Sequence, residues 1–239
     1  MNHKIPPPEI LLEQGACIVL NKPGGVLTQA PPGIDSIETR LKQFLKIRDE
    51  KPGKVYVGVP HRLDRPVSGV MVMVKNIRAA QRLSAQFRNR TVAKTYWAVV
   101  EGTVNPPAGT WCDSMRKLPD EARSEMVAAD HPNAQQAVLH YQTRAVTQGQ
   151  TWIEIELETG RTHQIRLQAS HHGYPILGDE LYGSKTEFGP QTFDARKRWI
   201  ALHARNLTFE HPIIKNERVT QTAALPSYWE SLDIPFETT

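Results

Sequence analysis

Cysteine is scarce in this sequence of 239 residues, which contains only Cys17 and Cys112. Two cysteines cannot build the disulfide framework of a small secreted protein, nor complete a four-ligand zinc site without other donors. Long apolar runs are also missing, because no uninterrupted stretch approaches the ~18 residues that a membrane span needs. The first residues, MNHKIPPPEI, lack the apolar core of a secretory signal. We therefore expect a cytoplasmic protein that does not enter a membrane.

Acidic side chains are absent from two long stretches, 65–100 and 159–178, although both stretches are basic. A third basic cluster, ARKRW, lies at 195–199. The formal net charge is only +4, so the separation of acids from bases is more informative than the total. Solvated helix faces without a function are one interpretation of a single such segment. Three segments together favour a positive surface for a nucleic acid.

Segments with helix and strand periodicity alternate along the chain. Residues 36–47 predict an amphipathic helix with Ser36 as its N-cap, and Asn76 caps a second helix that runs to about residue 90 with Ile77 facing inward. A third helix follows Gly160 and ends at Gly173. Strands are predicted at 17–21, 69–75, 94–102 and 151–158, and in two pieces within 199–211. The mixture predicts an α+β fold, with the least order expected at 48–58, 105–135 and 184–197.

The segment HRLDRPVSG, residues 61–69, places Asp64 between Arg62 and Arg65. One interpretation is a structural ion pair with either arginine. The other is a catalytic carboxylate that neighbouring cations keep ionised. These nine residues alone leave both interpretations open.

Five segments resemble one family in order and in spacing. They are ILLEQGACIVLNKPGGVL (10–27), HRLDRPVSGVMVMVKN (61–76), KTYWAVVEG (94–102), GRTHQIRLQASHHGYPILGDELYG (160–183) and LHARNLTFEHP (202–212). The family is that of the RluA-type pseudouridine synthases, and the resemblance covers roughly residues 10–230. It implies the pseudouridine synthase fold, a mixed, mostly antiparallel sheet with flanking helices and loops around a central catalytic cleft.

The same resemblance implies a single catalytic domain over residues 1–239, with residues 1–9 flexible. Only about nine residues precede the first motif, so we expect a stand-alone catalytic domain without an N-terminal RNA-binding domain of the S4 type. The implied substrate is structured RNA, a stem-loop of ribosomal or transfer RNA, and the implied protein is a monomer.

The implied reaction breaks the N1–C1′ bond of a uridine, turns the base and joins C5 to C1′ instead. The base must first leave the stack. The resemblance implies that Asp64 is the catalytic aspartate and that Tyr96 stacks on the uracil. It further implies that Arg166 pairs with the aspartate and that Arg62 fills the space left by the flipped base. Such an isomerisation needs no redox partner, so we expect no cofactor.

Several alternatives remain beside this interpretation. A catalytically inactive RNA-binding protein on the same fold would lack the aspartate, the tyrosine or the arginine, and all three are present. A glycoside hydrolase would need a second carboxylate near Asp64, and the next acid along the chain is Glu101. The histidines lack metal-ligand spacing, so no metal is expected, and NKPGG (21–25) is interpreted as a plain turn. Val67 and Gln168 depart from the Thr and His that are common in the family.

Overall fold

The computed structural model describes residues 6–194 and 198–236. The chain separates into two compact units, one formed by residues 1–93 and 204–225 and the other by residues 94–203 and 226–239. The single catalytic domain over residues 1–239 stays a prediction. Of the segment 1–9 that was expected to be flexible, residues 1–5 lie outside the described part, and Glu9 already begins a strand. Residues 195–197 of the basic ARKRW cluster also lie outside it.

The first unit is built on antiparallel strands with an apolar centre. Its strands are β1 (Glu9–Gln14), β2 (Cys17–Lys22), β3 (Ser68–Val74), most of β9 (Leu202–Glu210) and β10 (Arg218–Thr222). Strand β2 pairs with β1 on one side and β3 on the other, and β10 pairs with β9, each antiparallel. Every residue of β3 is buried. The strands predicted at 17–21 and 69–75 are therefore confirmed.

Two capped helices belong to the same unit. Helix α1 (Ile37–Arg48) begins where the Ser36 hydroxyl accepts the Thr39 N–H at 3.2 Å, and α2 (Ile77–Arg88) begins where Asn76 accepts the Ala79 N–H at 2.8 Å. Both predicted N-caps are confirmed. The inward position expected for Ile77 is wrong, since this side chain is 61% exposed. It lies about 200° around the helix from Ala79, which is on the buried face.

The second unit contains five antiparallel strands in the order β4, β8, β7, β5, β6. They are β4 (Ala93–Glu101), β5 (Ala108–Lys117), β6 (Ser124–Met126), β7 (Gln135–Thr147) and β8 (Gln150–Leu157). The low order expected for 105–135 is wrong, because β5 and β6 lie there. Only Trp111 and Met115 of β5 are buried, and its other residues are half-buried or exposed. Strands with one open face carry such a weak apolar signal.

Helix α3 (Gln164–His171) lies in the second unit and begins later than predicted. His163, in the left-handed conformation with φ +56°, precedes it. Its end is as predicted, because Gly173 follows with φ +87°. The short 3₁₀ helices Glu180–Tyr182 and Ser227–Leu232 also belong to this unit. No helix within residues 6–194 and 198–236 is long and apolar enough to cross a membrane.

Candidate active site

The loop before β3 carries Arg62 and Asp64 on either side of a buried leucine. The Leu63 side chain is 5% exposed. Its backbone is held by one hydroxyl, because Thr28 Oγ1 donates to the Leu63 carbonyl at 2.7 Å and accepts the Leu63 N–H at 3.2 Å. Arg62 is exposed and Asp64 is half-buried. The leucine thus fixes the backbone from which both candidate side chains extend.

A tight turn follows Asp64 and leads into β3. The Asp64 carbonyl accepts the Val67 N–H at 3.1 Å. Val67 takes part through its backbone, while its side chain is 3% exposed and belongs to the core. A valine in place of the family's usual threonine therefore leaves this turn intact.

The segment interpreted as a plain turn, NKPGG, instead holds the Asp64 loop. Lys22 is completely buried, and its Nζ donates to the carbonyls of Pro23 and Val26 at 2.8 Å and of Arg65 at 3.3 Å. The Gly25 N–H donates to the Arg65 carbonyl at 2.8 Å, and Arg65 Nε donates to the Gly25 carbonyl at 3.1 Å. Polar groups of this turn are therefore paired with the Asp64 loop, a contact that the sequence interpretation did not include.

Charge is concentrated around this turn. Burial lowers the pKa of Lys22 to about 7, the negative charge of Asp64 opposes this decrease, and the positive charges of Arg40 and Arg65 add to it. Asp64 and the buried ammonium thus interact electrostatically. The two arginines of the motif have different environments. Arg65 Nε is hydrogen-bonded to the Gly25 carbonyl, whereas the Arg62 side chain is exposed.

His61, the first residue of the motif, anchors the loop. Its ring stacks on Phe87 of α2, with centroids 4.4 Å apart, and its Nε2 accepts the Val72 N–H at 3.0 Å. Among the residues that the structure describes, no group of three or more His, Cys, Asp or Glu side chains is placed to hold a metal ion. His61 is therefore a link between α2 and β3.

Tyr96 lies on β4 in the second unit, opposite Ile155 of β8. The next residue, Trp97, is buried, and its Nε1 donates to Glu154 Oε2 at 2.9 Å. Successive side chains of a strand point to opposite faces, so Tyr96 occupies the face that Trp97 does not. It is half-buried there, as a ring that takes part both in packing and in contact with a ligand would be.

Arg166 lies on α3 and forms a buried ion pair. Its Nε donates to Asp179 Oδ2 and its Nη2 to Asp179 Oδ1, both at 2.7 Å. The side chains of Arg166 and Asp179 are 6% and 1% exposed. The resemblance implied that Arg166 pairs with Asp64, and that pairing stays a prediction. The ion pair with Asp179 was not foreseen.

Tyr182 lies beside this ion pair. The Arg166 guanidinium carbon is 5.1 Å from the centre of the Tyr182 ring, within the range of a cation–π contact. The Tyr182 hydroxyl accepts the Ser124 N–H at 3.0 Å and lies 2.9 Å from His163 Nδ1. The ring that supports Arg166 is itself held by the chain at β6.

Gln168, also on α3, occupies the position where the family commonly has a histidine, and its contacts suit an amide. The side chain is completely buried. Its Nε2 lies 2.7 Å from Asp113 Oδ2 and 3.2 Å from the carbonyls of Trp111 and Ala137, while its Oε1 accepts from Gln164 Nε2 at 3.0 Å. An amide can donate and accept at once. It therefore connects α3 with β5 and β7.

The structure thus places the four predicted residues in two pairs. Arg62 and Asp64 share a loop of the first unit, and Tyr96 and Arg166 belong to the second unit. Their convergence on one cleft stays a prediction. Sequence reasoning missed two residues that interact with predicted ones, Lys22 and Asp179. The signal for Asp179 was in the quoted motif, where GDELYG ends an acid-free stretch.

Comparisons with known proteins agree on one family. The family model for RNA pseudouridylate synthase matches residues 16–171. An uncharacterised RNA pseudouridine synthase of Synechocystis is 30% identical over 95% of this chain and 68% of its own length. A ribosomal large subunit pseudouridine synthase D of Xanthomonas campestris is 35% identical over 92% of this chain and 66% of its own length. The chain therefore spans about two thirds of the length of these curated relatives.

A solved structure agrees with the sequence comparisons. The human protein described as RNA pseudouridylate synthase domain containing 4 aligns with a TM-score of 0.75 and 27% identity, over 94% of this chain and 92% of that chain. A second human protein of this description, domain containing 1, aligns with a TM-score of 0.68 at 23% identity, which concerns the fold alone. Together with the antiparallel strands of both units, these alignments confirm the predicted α+β pseudouridine synthase fold.

Proposed function

This chain belongs to the RNA pseudouridylate synthase family, and from that premise we propose that Asp64 starts the isomerisation of uridine to pseudouridine in its RNA substrate. The family's reaction needs a carboxylate beside the sugar. The observation that carries the proposal is the position of Asp64, half-buried on a loop whose backbone is held by Leu63, Val67 and the turn at Lys22. A loop fixed in this way can hold a reacting group in one orientation.

The chemistry assigns a step to the carboxylate. Asp64 acts either as a nucleophile at C1′ or as a base that removes a proton from the sugar, and the N1–C1′ bond breaks with its electron pair on the uracil. The freed base turns and C5 joins C1′. If Asp64 was the nucleophile, this step displaces its carboxylate from C1′; if Asp64 was the base, it returns the proton to the sugar. C5 then loses its proton to solvent, and N1 gains one. Asp64 must be ionised at the outset to act in either role.

The other three residues complete the proposal. Tyr96 provides an aromatic face for the loosened uracil, Arg166 provides N–H donors to the catalytic carboxylate, and Arg62 fills the space of the flipped base. Their settings support these roles, because Arg62 is exposed, Tyr96 is half-buried and Arg166 is held by Asp179. The proposal requires all four to act on the same nucleotide.

The RNA substrate is proposed from the relatives. Several are named ribosomal large subunit pseudouridine synthase D, which supports ribosomal RNA of the large subunit as the substrate. That the protein acts as a monomer in the cytoplasm is a further part of the proposal. Transfer RNA is the alternative. Mapping pseudouridines in total RNA with and without the gene decides between them, since a site lost from transfer RNA alone would overturn the ribosomal assignment.

The role of Asp64 is tested with Asp64→Asn. The amide keeps the size of the side chain and removes its charge and nucleophilicity. We expect a folded variant that still binds RNA and forms pseudouridine at least ~10³-fold more slowly, as when an essential catalytic group is removed. The measurement is tritium release from RNA labelled at C5 of uridine, with thermal unfolding and RNA affinity on the same preparation.

Asp49→Asn is the matched control for this test. Asp49 pairs with Arg48 at the end of α1, on the surface. We expect this variant to release tritium at the wild-type rate. If Asp64 were only a structural ion-pair partner, Asp64→Asn would lower the melting temperature and keep activity in proportion to folded protein. A stable Asp64→Asn variant with near wild-type tritium release would defeat the proposal.

A further inference from the structure

We propose that Asp179 is a positioning residue for the isomerisation, which fixes the plane of the Arg166 guanidinium and balances its charge. This inference rests on the proposed function, because it assumes that Arg166 acts on the catalytic carboxylate. Asp179 lies beyond residue 171, where the match to the family model ends.

The geometry of the ion pair fixes the orientation of the Arg166 side chain. Two parallel hydrogen bonds of 2.7 Å join Nε and Nη2 of Arg166 to the two carboxylate oxygens of Asp179. A two-point contact of this kind sets the orientation of the planar guanidinium, which a single bond would leave free to turn. It uses two of the five N–H groups and leaves the other three on edges of the plane that Asp179 does not occupy.

Asp179 also balances the positive charge of Arg166. The guanidinium of Arg166 stays protonated at any accessible pH, and its side chain is only 6% exposed. A buried cation without a counter-charge is costly, so it would turn toward water or displace its surroundings. Asp179, at 1% exposure, supplies that counter-charge. Arg166 can therefore offer N–H donors without bringing an uncompensated charge into the interior.

Asp179 is itself well placed to serve as a fixed point. Its N–H donates to the Ile176 carbonyl at 3.0 Å, and its own carbonyl accepts the N–H groups of Tyr182 at 3.0 Å and Ser184 at 3.1 Å. The centre of the Tyr182 ring lies 5.1 Å from the guanidinium carbon of Arg166. The segment 176–184 therefore positions both Asp179 and Tyr182 beside Arg166.

The test compares Asp179→Asn with Asp113→Asn. An asparagine at 179 keeps the shape but turns an NH₂ group toward a guanidinium N–H, so one hydrogen bond and the counter-charge are removed. Asp113 is the matched control, because its carboxylate contacts α3 through Gln168 and His172, whereas the carboxylate that pairs with Arg166 is that of Asp179. Both variants loosen the anchoring of α3, and only Asp179→Asn changes the ion pair of Arg166.

Kinetics and stability are measured on the same preparations. For Asp179→Asn we expect kcat for pseudouridine formation to fall about 10- to 100-fold, the scale of a small misplacement of a reacting group. KM for RNA should change by less than about threefold, because binding contacts are kept. Asp113→Asn should lower the melting temperature and keep kcat within about twofold of wild type. Equal losses of kcat in both variants would overturn the inference.

A double-mutant cycle with Arg166→Lys separates positioning from general packing. A lysine at 166 cannot make the two-point contact. If Asp179 acts through Arg166, adding Asp179→Asn to Arg166→Lys should lower kcat by less than about twofold more. A full further decrease in the double variant would show that Asp179 acts through something else.

Failure of this inference is distinguishable from failure of the proposed function. Inactive wild-type protein, or an active Asp64→Asn variant, counts against the proposed function. Active wild-type protein, an inactive Asp64→Asn variant and an Asp179→Asn variant with normal kcat together overturn the role of Asp179 alone.

Discussion

At the scale of single residues, Lys22 joins the turn at 21–25 to the Asp64 loop through a buried ammonium group. Its three carbonyl partners come from Pro23, Val26 and Arg65. A methionine at this position would fill the space but remove the Lys22 donor from the carbonyls of Pro23 and Val26, whereas the Arg65 carbonyl would keep the Gly25 N–H. Each buried polar group that loses its partner costs about 1–3 kcal/mol. We therefore expect Lys22→Met to be clearly less stable than wild type at alkaline pH.

The pH dependence of that difference can be predicted with its sign. The pKa of Lys22 is lowered from 10.5 to about 7 in the folded protein. Between these two values the unfolded chain binds more protons than the folded chain, so the free energy of unfolding of wild type rises with pH by up to about 1.4 kcal/mol per unit. The methionine variant lacks this titration. Urea unfolding of both proteins is measured from about pH 7 to about pH 9.5, within the range where the folded and unfolded states differ in protonation. The difference in free energy of unfolding between wild type and variant should widen as pH rises. A constant difference would contradict the prediction.

Sequence reasoning at this scale identified residues whose motif is local. Asp64 drew attention because Arg62 and Arg65 flank it within four positions, while its catalytic role was implied by the family resemblance and stays a prediction. The partner of Arg166 was missed because Asp179 is 13 positions away. The acid-free stretch that ends at Asp179 marks this aspartate but does not indicate that both side chains are buried. Lys22 was missed for a related reason, since a lysine in a Pro-Gly turn is usually exposed.

At the scale of secondary-structure elements, Gly69 determines how closely β3 can approach its neighbour. It pairs with Lys22 of β2 and has φ +120°, a conformation that side chains rarely adopt. A Cβ atom there would overlap the backbone of Ala204. We expect Gly69→Ala to lower the free energy of unfolding by about 1–3 kcal/mol, through overpacking and backbone strain. Chemical unfolding measures the decrease.

Gly53→Ala is the control for this prediction. A Cβ atom at Gly53 would have no heavy atom within 4 Å, apart from its chain neighbours, and this glycine has no positive φ. The same substitution should there be neutral or slightly stabilising, by about 0.4–1 kcal/mol, because alanine restricts the unfolded chain. A Gly69→Ala variant as stable as Gly53→Ala would mean that β3 and β9 adjust at no cost.

Elements were predictable where a local contact defines them. Ser36 and Asn76 each accept an N–H three residues ahead, so the sequence is enough to locate the starts of α1 and α2. The start of α3 is different, because His163 adopts a left-handed conformation beside the long-range contact with Tyr182. The strands β5 and β7 were missed because an open sheet face carries few apolar residues.

At the scale of the whole molecule, the uneven distribution of acidic and basic residues can be seen directly in the sequence. No acid occurs from Arg65 to Val100, whereas β8 carries Glu154 and Glu156. The α+β class followed from the local helix and strand patterns, and the pseudouridine synthase fold followed from the order of five motifs. The division into two compact units was not predicted, because it depends on which distant segments pack together: residues 204–225 belong with 1–93.

RNA binding should accordingly be electrostatic. Basic side chains that neutralise phosphates release counterions, so affinity falls steeply as salt increases. The candidates on α2 are Arg78 and Arg88, which are exposed. Arg82, which also lies on α2 within the acid-free stretch, donates through Nη1 to the Pro212 carbonyl at 2.7 Å. Its substitution would disturb that hydrogen bond, so Arg82 is unsuitable for the test.

The last prediction is that Arg78→Glu and Arg88→Glu each weaken RNA binding without abolishing turnover at saturating RNA. Each phosphate interaction that a variant removes should reduce the slope of log K against log salt by about 0.7–0.9. Lys46→Glu on α1 is the control, because it changes the net charge equally at an exposed position next to the acids Asp49 and Glu50. Filter binding from about 50 to about 300 mM salt, on the order used to resolve such slopes, measures the wild type and the three variants. If wild-type affinity did not change with salt, or if Lys46→Glu weakened binding as much as the α2 variants, α2 would not be the RNA-binding surface.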